Sequence, residues 1–219
     1  MLTNFHFDDT LLAKTQRSNT HIQFLKEEIA MKVLLIRHGE PCYKNVTDLN
    51  LVSYLAELTT NGIAQAENVA DDERLQDADL IVSSPFTRAL QTASIISRKT
   101  QIPLIVEPSF HEWLEDTSHL FTLDTRYGRA AYHEFYDNNF ERNPDCIYNW
   151  EAASHIAQRA FNGMKKYYKM GYQKIIVVAH AMFIRTFGYD KQQIPYCNVY
   201  EYEFDENSHY DGFTPWRGE

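Results

Sequence analysis

Arg37, His38 and Gly39 stand side by side, and their types suit work on an anion. A neutral imidazole offers a nucleophilic nitrogen, a guanidinium forks onto two oxygens, and glycine lets the backbone turn close to a bound group. The trio suggests phosphoryl chemistry. Lys32-Val33-Leu34-Leu35-Ile36, just before it, is a short β-branched-rich apolar run that reads as a strand buried on both faces. Open α/β sheets bind ligands beyond the carboxyl ends of such strands, and Arg37 and His38 fall there. His180 follows a second run of this kind, Ile175-Ile176-Val177-Val178-Ala179. Two histidines, each just past a buried parallel strand, are hard to explain by packing. Taken alone, Arg-His-Gly would equally describe a surface pair after a strand.

Other segments point the same way. Leu58-Thr59-Thr60-Asn61-Gly62-Ile63-Ala64-Gln65-Ala66 reads as LTxxGxxQA, and Ser83 to Ala93 reads as SSPxxRAxQTA with Arg88 inside it. Phe110-His111-Glu112 and the run ending in His180-Ala181 follow. In this order and at this spacing they resemble the histidine phosphatase superfamily, also called the phosphoglycerate mutase-like family, from about residue 31 to about 204.

The resemblance implies an α/β fold, a three-layer α/β/α sandwich with a mostly parallel central sheet. It implies a phosphatase that hydrolyses a phosphomonoester through a phosphohistidine on His38. Substrate phosphate would sit between Arg37, Arg88 and His180, with backbone donors at Ala181. Glu112 would protonate the leaving group and then activate water, with Glu107 and Glu115 as fallback candidates. Asn45 lies about one position late for the family's phosphate-touching Asn, and Pro41 stands where the family often has Ser or Thr. No cofactor and no metal is called for, because two guanidiniums and an imidazole do what a magnesium ion does elsewhere. Two other readings share these residues: phosphoglycerate mutase-type transfer and a noncatalytic phospholigand-binding module. The mutases' extended ERHYG segment is absent, since Trp113-Leu114-Glu115 follows Glu112.

These side chains need elements to carry them. Thr59 to about Arg74 reads as a helix with Thr59 or Thr60 as N-cap and Ile63, Ala66, Val69 and Ala70 as its buried stripe. Asp79–Ser83 reads as a strand, with a helix from about 85 to 99 that places Pro85 and Arg88 in its first turn. Leu104–Val106 is a third strand, and periodic Ile156, Ala160, Met164 and Tyr167 mark a helix to about 169. Ala181 to Phe187 can start another helix, and Val199–Phe204 suggests a last strand. Residues 113–150 form an insertion dense in aromatics, with His119, Arg126, Arg129, His133 and Arg142 interleaved. It reads either as a substrate lid over the sheet or as an aromatic-packed helical subdomain. Residues 1–30 form an N-terminal extension ahead of the 31–219 domain, with a short amphipathic helix plausible near 20–30.

The bulk composition narrows the partners. The 219 residues carry a net charge of -9, which argues against nonspecific nucleic-acid binding. An anionic substrate must therefore be drawn by local positive charge at Arg37 and Arg88. Cys42, Cys146 and Cys197 form no CxxC pair, which fits a reducing cytoplasm rather than a disulfide framework. Neither a signal peptide nor a membrane span is legible. The expected partner is a small phosphorylated substrate whose identity the insertion would set; oligomeric state stays open, a homodimer included.

Overall fold

The computed structural model describes residues 30–43, 52–118, 125–189 and 192–213. All the elements below lie in the unit Met31–Glu219. The helix expected near 20–30, Asn45, and His119 within the insertion lie outside the described residues.

In chain order the strands are β1 (Met31–Arg37), β2 (Pro41–Cys42), β3 (Glu57–Leu58), β4 (Leu80–Ser83), β5 (Leu104–Val106), β6 (Lys174–Ala179) and β7 (Val199–Phe204). The helices are α1 (Val52–Leu55), α2 (Thr60–Val69), α3 (Thr87–Thr100), α4 (Thr125–Asp137), α5 (Ala153–Lys169) and α6 (Ala181–Ile184). The main sheet runs β5-β4-β6-β1-β7, parallel throughout except for β7, which pairs antiparallel with β1. β2 and β3 form a separate two-stranded ribbon.

Alternation along the strands explains the layers. Successive strand side chains point to opposite faces, so a run that is apolar at every position must be covered on both sides. Val33 and Leu35 of β1, with Val82, Ile175 and Val177, meet Ala160, Met164 and Tyr167 of α5 and Phe183 of α6. Leu34 and Ile36, with Ile81, Ile176 and Val178, meet Val69 of α2 and Ala89, Ala93 and Ile96 of α3. The result is the expected three-layer sandwich. Each buried Val, Leu, Ile, Phe or Met among them contributes about 1.5–3 kcal/mol over leaving it exposed, which anchors the strands that carry the site.

Three local expectations need correction. Ile63 is 43% exposed rather than part of the buried stripe of α2, whose inward face is Gly62, Ala66 and Val69. Gly62 turns inward because the Glu40 backbone passes so close that a Cβ there would lie 2.3 Å from the Glu40 carbonyl oxygen. Pro85 precedes α3 and its N-cap, Phe86, instead of occupying the first turn. The helix after His180 keeps its α-helical form only to Ile184, and a wider turn over Arg185–Tyr189 ends it, with Gly188 at φ +88°. No helix among the described residues is long and apolar enough to cross a membrane.

The insertion is built chiefly as an aromatic core. Phe135, Phe140 and Trp150 are fully buried and pack with Ala153 and Ile156 of α5 and Met182 of α6. Phe135 meets Phe140 and Trp150 edge-on at 4.8 and 5.3 Å. Glu134 of α4 closes the loop behind it, accepting from the Ile147 and Tyr148 backbones and from Trp150 Nε1.

Candidate active site

Strand register alone gathers the first groups. Arg37 stands opposite Ala179, and Ser83 opposite Val178, so the ends of β1, β4 and β6 lie side by side. The His38 N–H donates to the Ala179 carbonyl at 3.0 Å, and the Ser84 N–H to the Val178 carbonyl at 2.9 Å. His38 and His180 therefore leave the sheet as neighbours, with ring centroids 5.1 Å apart. Both are buried.

Two hydrogen bonds select the tautomer of His38. Its Nδ1 is 2.7 Å from the Gly39 carbonyl, which can only accept, so Nδ1 carries the proton. Arg88 Nε donates to Nε2 at 3.0 Å, so Nε2 carries the lone pair. Burial, with Arg88 and Arg37 nearby, holds the His38 pKa well below 6.5 despite the opposing bond to Gly39, which keeps the ring neutral at pH 7. A neutral imidazole with its free pair on Nε2 is the form a nucleophile requires.

His180 is set by β4. Its Nε2 lies 2.7 Å from Ser84 Oγ, which also accepts from the Phe86 N–H at 3.2 Å. The serine hydroxyl can donate to Nε2, an arrangement that puts the proton on Nδ1, and Nδ1 is buried without a hydrogen-bond partner. Burial, then Arg88 and His38, push its pKa well below 6.5 as well. Such a donor fits an oxyanion.

The guanidiniums complete the cup. Arg88 is buried in the first turn of α3, 5.2 Å above the Phe86 ring, and burial lowers its pKa against the pull of Tyr43 and Glu112. Arg37 lies 4.1 Å from the Tyr196 ring centroid and donates through Nη1 to the Ile194 carbonyl at 2.5 Å, while its buried Nε has no partner. Tyr196 also faces His38 at 5.7 Å. Nothing in the local sequence singles out Tyr196; only the return of the chain before β7 puts it there.

Several motif residues act behind this surface. The Gly39 N–H donates to Thr92 Oγ1 at 3.0 Å, and a Cβ on Gly39 would sit 2.5 Å from the Gly62 carbonyl oxygen. Glu40 Oε2 accepts from Thr59 Oγ1 at 2.7 Å and Asn61 Nδ2 at 3.0 Å, Gln65 takes the Glu40 N–H, and Gln91 takes the Leu58 N–H. The LTxxGxxQA and SSPxxRAxQTA segments are thus largely the mould around Arg-His-Gly-Glu. Ser84 and Thr92 belong to the SSPxxRAxQTA segment, and their hydrogen bonds depend on the fold rather than on their place in it.

Glu112 approaches from the sheet's β5 side. Its Oε1 accepts from the Trp113 N–H at 2.9 Å, and its charge acts on Arg88 and Tyr43. The fallback Glu107 is engaged elsewhere: burial pushes its pKa up, but Lys166, Tyr167 and Ser109 donate to it and hold it below the usual value. Glu115 lies against Gly128 of α4, where a Cβ would come 2.9 Å from its Oε2. His111 Nδ1 donates to the Glu112 carbonyl, and its ring stacks near Phe86 at 6.2 Å. Ala181 opens α6 directly after His180.

The strand ends of this α/β sheet and the first turn of α3 gather two buried neutral histidines and two arginines, a cluster whose charge and donors suit a tetrahedral anion. Residues 33–211 match the Histidine phosphatase superfamily (branch 1), and the chain belongs to that family. It is 29% identical over 162 residues to the uncharacterized phosphatase PhoE of Bacillus subtilis, covering 70% of this chain and 74% of that one. It is 27% identical over 152 residues to the adenosylcobalamin/alpha-ribazole phosphatase of Escherichia coli, covering 68% and 73%. Among solved structures, the alpha-ribazole phosphatase of Shigella flexneri shares the fold at a TM-score of 0.54 and 23% identity, covering 75% of this chain and 81% of that one.

Proposed function

We propose that the protein is a phosphomonoesterase that works through a phosphohistidine on His38. One observation carries the reading: His38 Nε2 keeps its lone pair through two hydrogen bonds, within a cup that also holds Arg37, Arg88 and His180. A bound phosphate oxygen takes over the Arg88 Nε–H and so releases the pair on Nε2. The remaining oxygens face Arg37, the His180 Nδ1–H and the backbone at Ala181. As Nε2 bonds to phosphorus, the bond to the leaving oxygen breaks, and protonated Glu112 supplies the proton that oxygen needs. The Glu112 carboxylate then takes a proton from water, whose oxygen bonds to phosphorus while the P–N electrons return to Nε2. Charge on the equatorial oxygens builds where the fixed cations already stand.

Both curated relatives are named phosphatases, which makes phosphorylated small molecules the first class to screen. The test is a panel of sugar phosphates, nucleotides and other phosphomonoesters, run beside His38→Ala. Phosphate release that disappears in the variant supports the reading. Isomerisation of 3-phosphoglycerate faster than phosphate release would replace it with a mutase.

A further inference from the structure

The cup is fixed by strands, but Glu112 lies on a stretch, residues 111–116, that is neither helix nor strand. Its shape comes from one guanidinium on α5. Arg159 Nη1 donates to the Ser109 and His111 carbonyls at 2.6 and 2.7 Å, and Nη2 donates to the Glu112 carbonyl at 3.2 Å. Its Nε and Nη2 meet the two carboxylate oxygens of Glu151 at 2.7 and 3.0 Å. Arginine has five N–H donors, and these five bonds use the whole set.

Glu151 grips the far side of Glu112. Its backbone N–H donates to the Leu114 carbonyl at 2.9 Å, its Oε2 accepts from the Leu114 N–H at 3.3 Å, and its carbonyl accepts from Trp113 Nε1 at 2.9 Å. Arg159 holds residues 109, 111 and 112; Glu151 holds 113 and 114. The near approach of Phe110 and Ser109 to Gly163, where a Cβ would stand 2.5 and 2.8 Å away, seats the same loop on α5.

We infer that Arg159 and Glu151 are positioning residues for proton transfer by Glu112, placing its carboxyl against the leaving oxygen without touching substrate themselves. The inference rests on the proposed role of Glu112 as general acid. A pair serving only to hold the fold would affect every substrate alike, whereas a device that aims an acid matters in proportion to how badly the leaving group needs a proton. Lysine at 159 keeps the charge but cannot reach three carbonyls and a carboxylate at once.

The experiment compares kcat/KM, which reads the steps through phosphoenzyme formation and not the Glu112-assisted hydrolysis common to all esters, for p-nitrophenyl phosphate, whose leaving group needs no proton, and for an alkyl phosphate. The enzymes are wild type, Arg159→Lys, Glu151→Gln, Glu112→Gln and the double variants with Glu112→Gln. Arg159→Lys is expected to lose roughly 10–100-fold on the alkyl ester, the scale of a 1 Å misplacement. On p-nitrophenyl phosphate it stays within about threefold of wild type, since general acid catalysis contributes little there. In the Glu112→Gln background neither substitution lowers the alkyl rate further. Glu151→Gln, nearly isosteric, carries the same test if Arg159→Lys fails to fold. Equal losses on both esters, equal losses with and without Glu112, or no loss at all would overturn the positioning role. If Glu112→Gln itself shows no preference between the esters, the acid assignment fails first and takes this inference with it.

Discussion

The cup around His38 and the loop around Glu112 face each other, yet they are built by different means. In the cup, strand register places Arg37, His38, Ser84 and His180, and the backbone itself supplies the bond that fixes the His38 ring. In the loop, side chains more than 35 residues along the chain hold the backbone in place. The cup gains its precision from buried β-branched strands. The loop gains it from one ion pair and an aromatic neighbourhood in which Trp113 lies 5.2 Å from Phe135. Under the proposed function, the strand-built half holds the anion and the side-chain-held half sets the leaving-group response, so that substrate can change without rebuilding the nucleophile.

The largest expected effect would break the comparison outright. His38→Ala should lower kcat on every phosphomonoester, activated or not, by at least about 10³-fold. A loss confined to poor leaving groups would mean that the nucleophilic work lies elsewhere. Gly39→Ala sharpens the contrast from the structural side, because its Cβ would meet the Gly62 carbonyl at 2.5 Å, backbone against backbone. Thermal or urea unfolding should show a loss of about 1–3 kcal/mol, with p-nitrophenyl phosphate turnover falling in parallel.

A pH titration of stability reads the dryness of the cup. His38 and His180 are held neutral in the folded protein with pKa values below 6.5, whereas the unfolded chain takes up protons near 6.5. The unfolded state therefore binds more protons below that pH, and stability is full above 6.5 and falls as pH drops toward the folded pKa values. Each histidine can contribute up to about 1.4 kcal/mol per pH unit in that window. Urea unfolding at pH 7 and 5.5 should show the decline, and His38→Ala should make it shallower. Ser84→Ala carries the smallest effect: it removes the hydroxyl bonded to His180 Nε2 and should cost about 1 kcal/mol, roughly fivefold in kcat/KM on p-nitrophenyl phosphate.

The same division decides what could be read before the fold was known. The buried strands and the histidines after them were legible because apolar runs and strand ends leave local marks, and Arg88 because its motif is contiguous. The mistaken inward placement of Ile63 followed from helical periodicity, which cannot anticipate that two glycine backbones, Gly39 and Gly62, would need to touch. Arg159 lies on the helix that Ile156, Ala160, Met164 and Tyr167 mark by their spacing, and Glu151 just precedes it. Their partners are backbone carbonyls and amides of a distant loop, and backbone groups have no sequence signature. Tyr196 gave no signal for the same reason: its contact with Arg37 depends on the path of a loop, not on residue type. The rings of the insertion are the converse case, since their number was plain but only packing shows Phe135, Phe140 and Trp150 turned into their own core.

Rapid mixing of the protein with a phosphomonoester, quenched in base within one turnover and mapped by peptide mass spectrometry, tests the central claim most directly. The account predicts one phosphoryl group per chain, on His38, and none in His38→Ala. A phosphoryl group on His180, or complete turnover with no phosphoenzyme at any quench time, would contradict it.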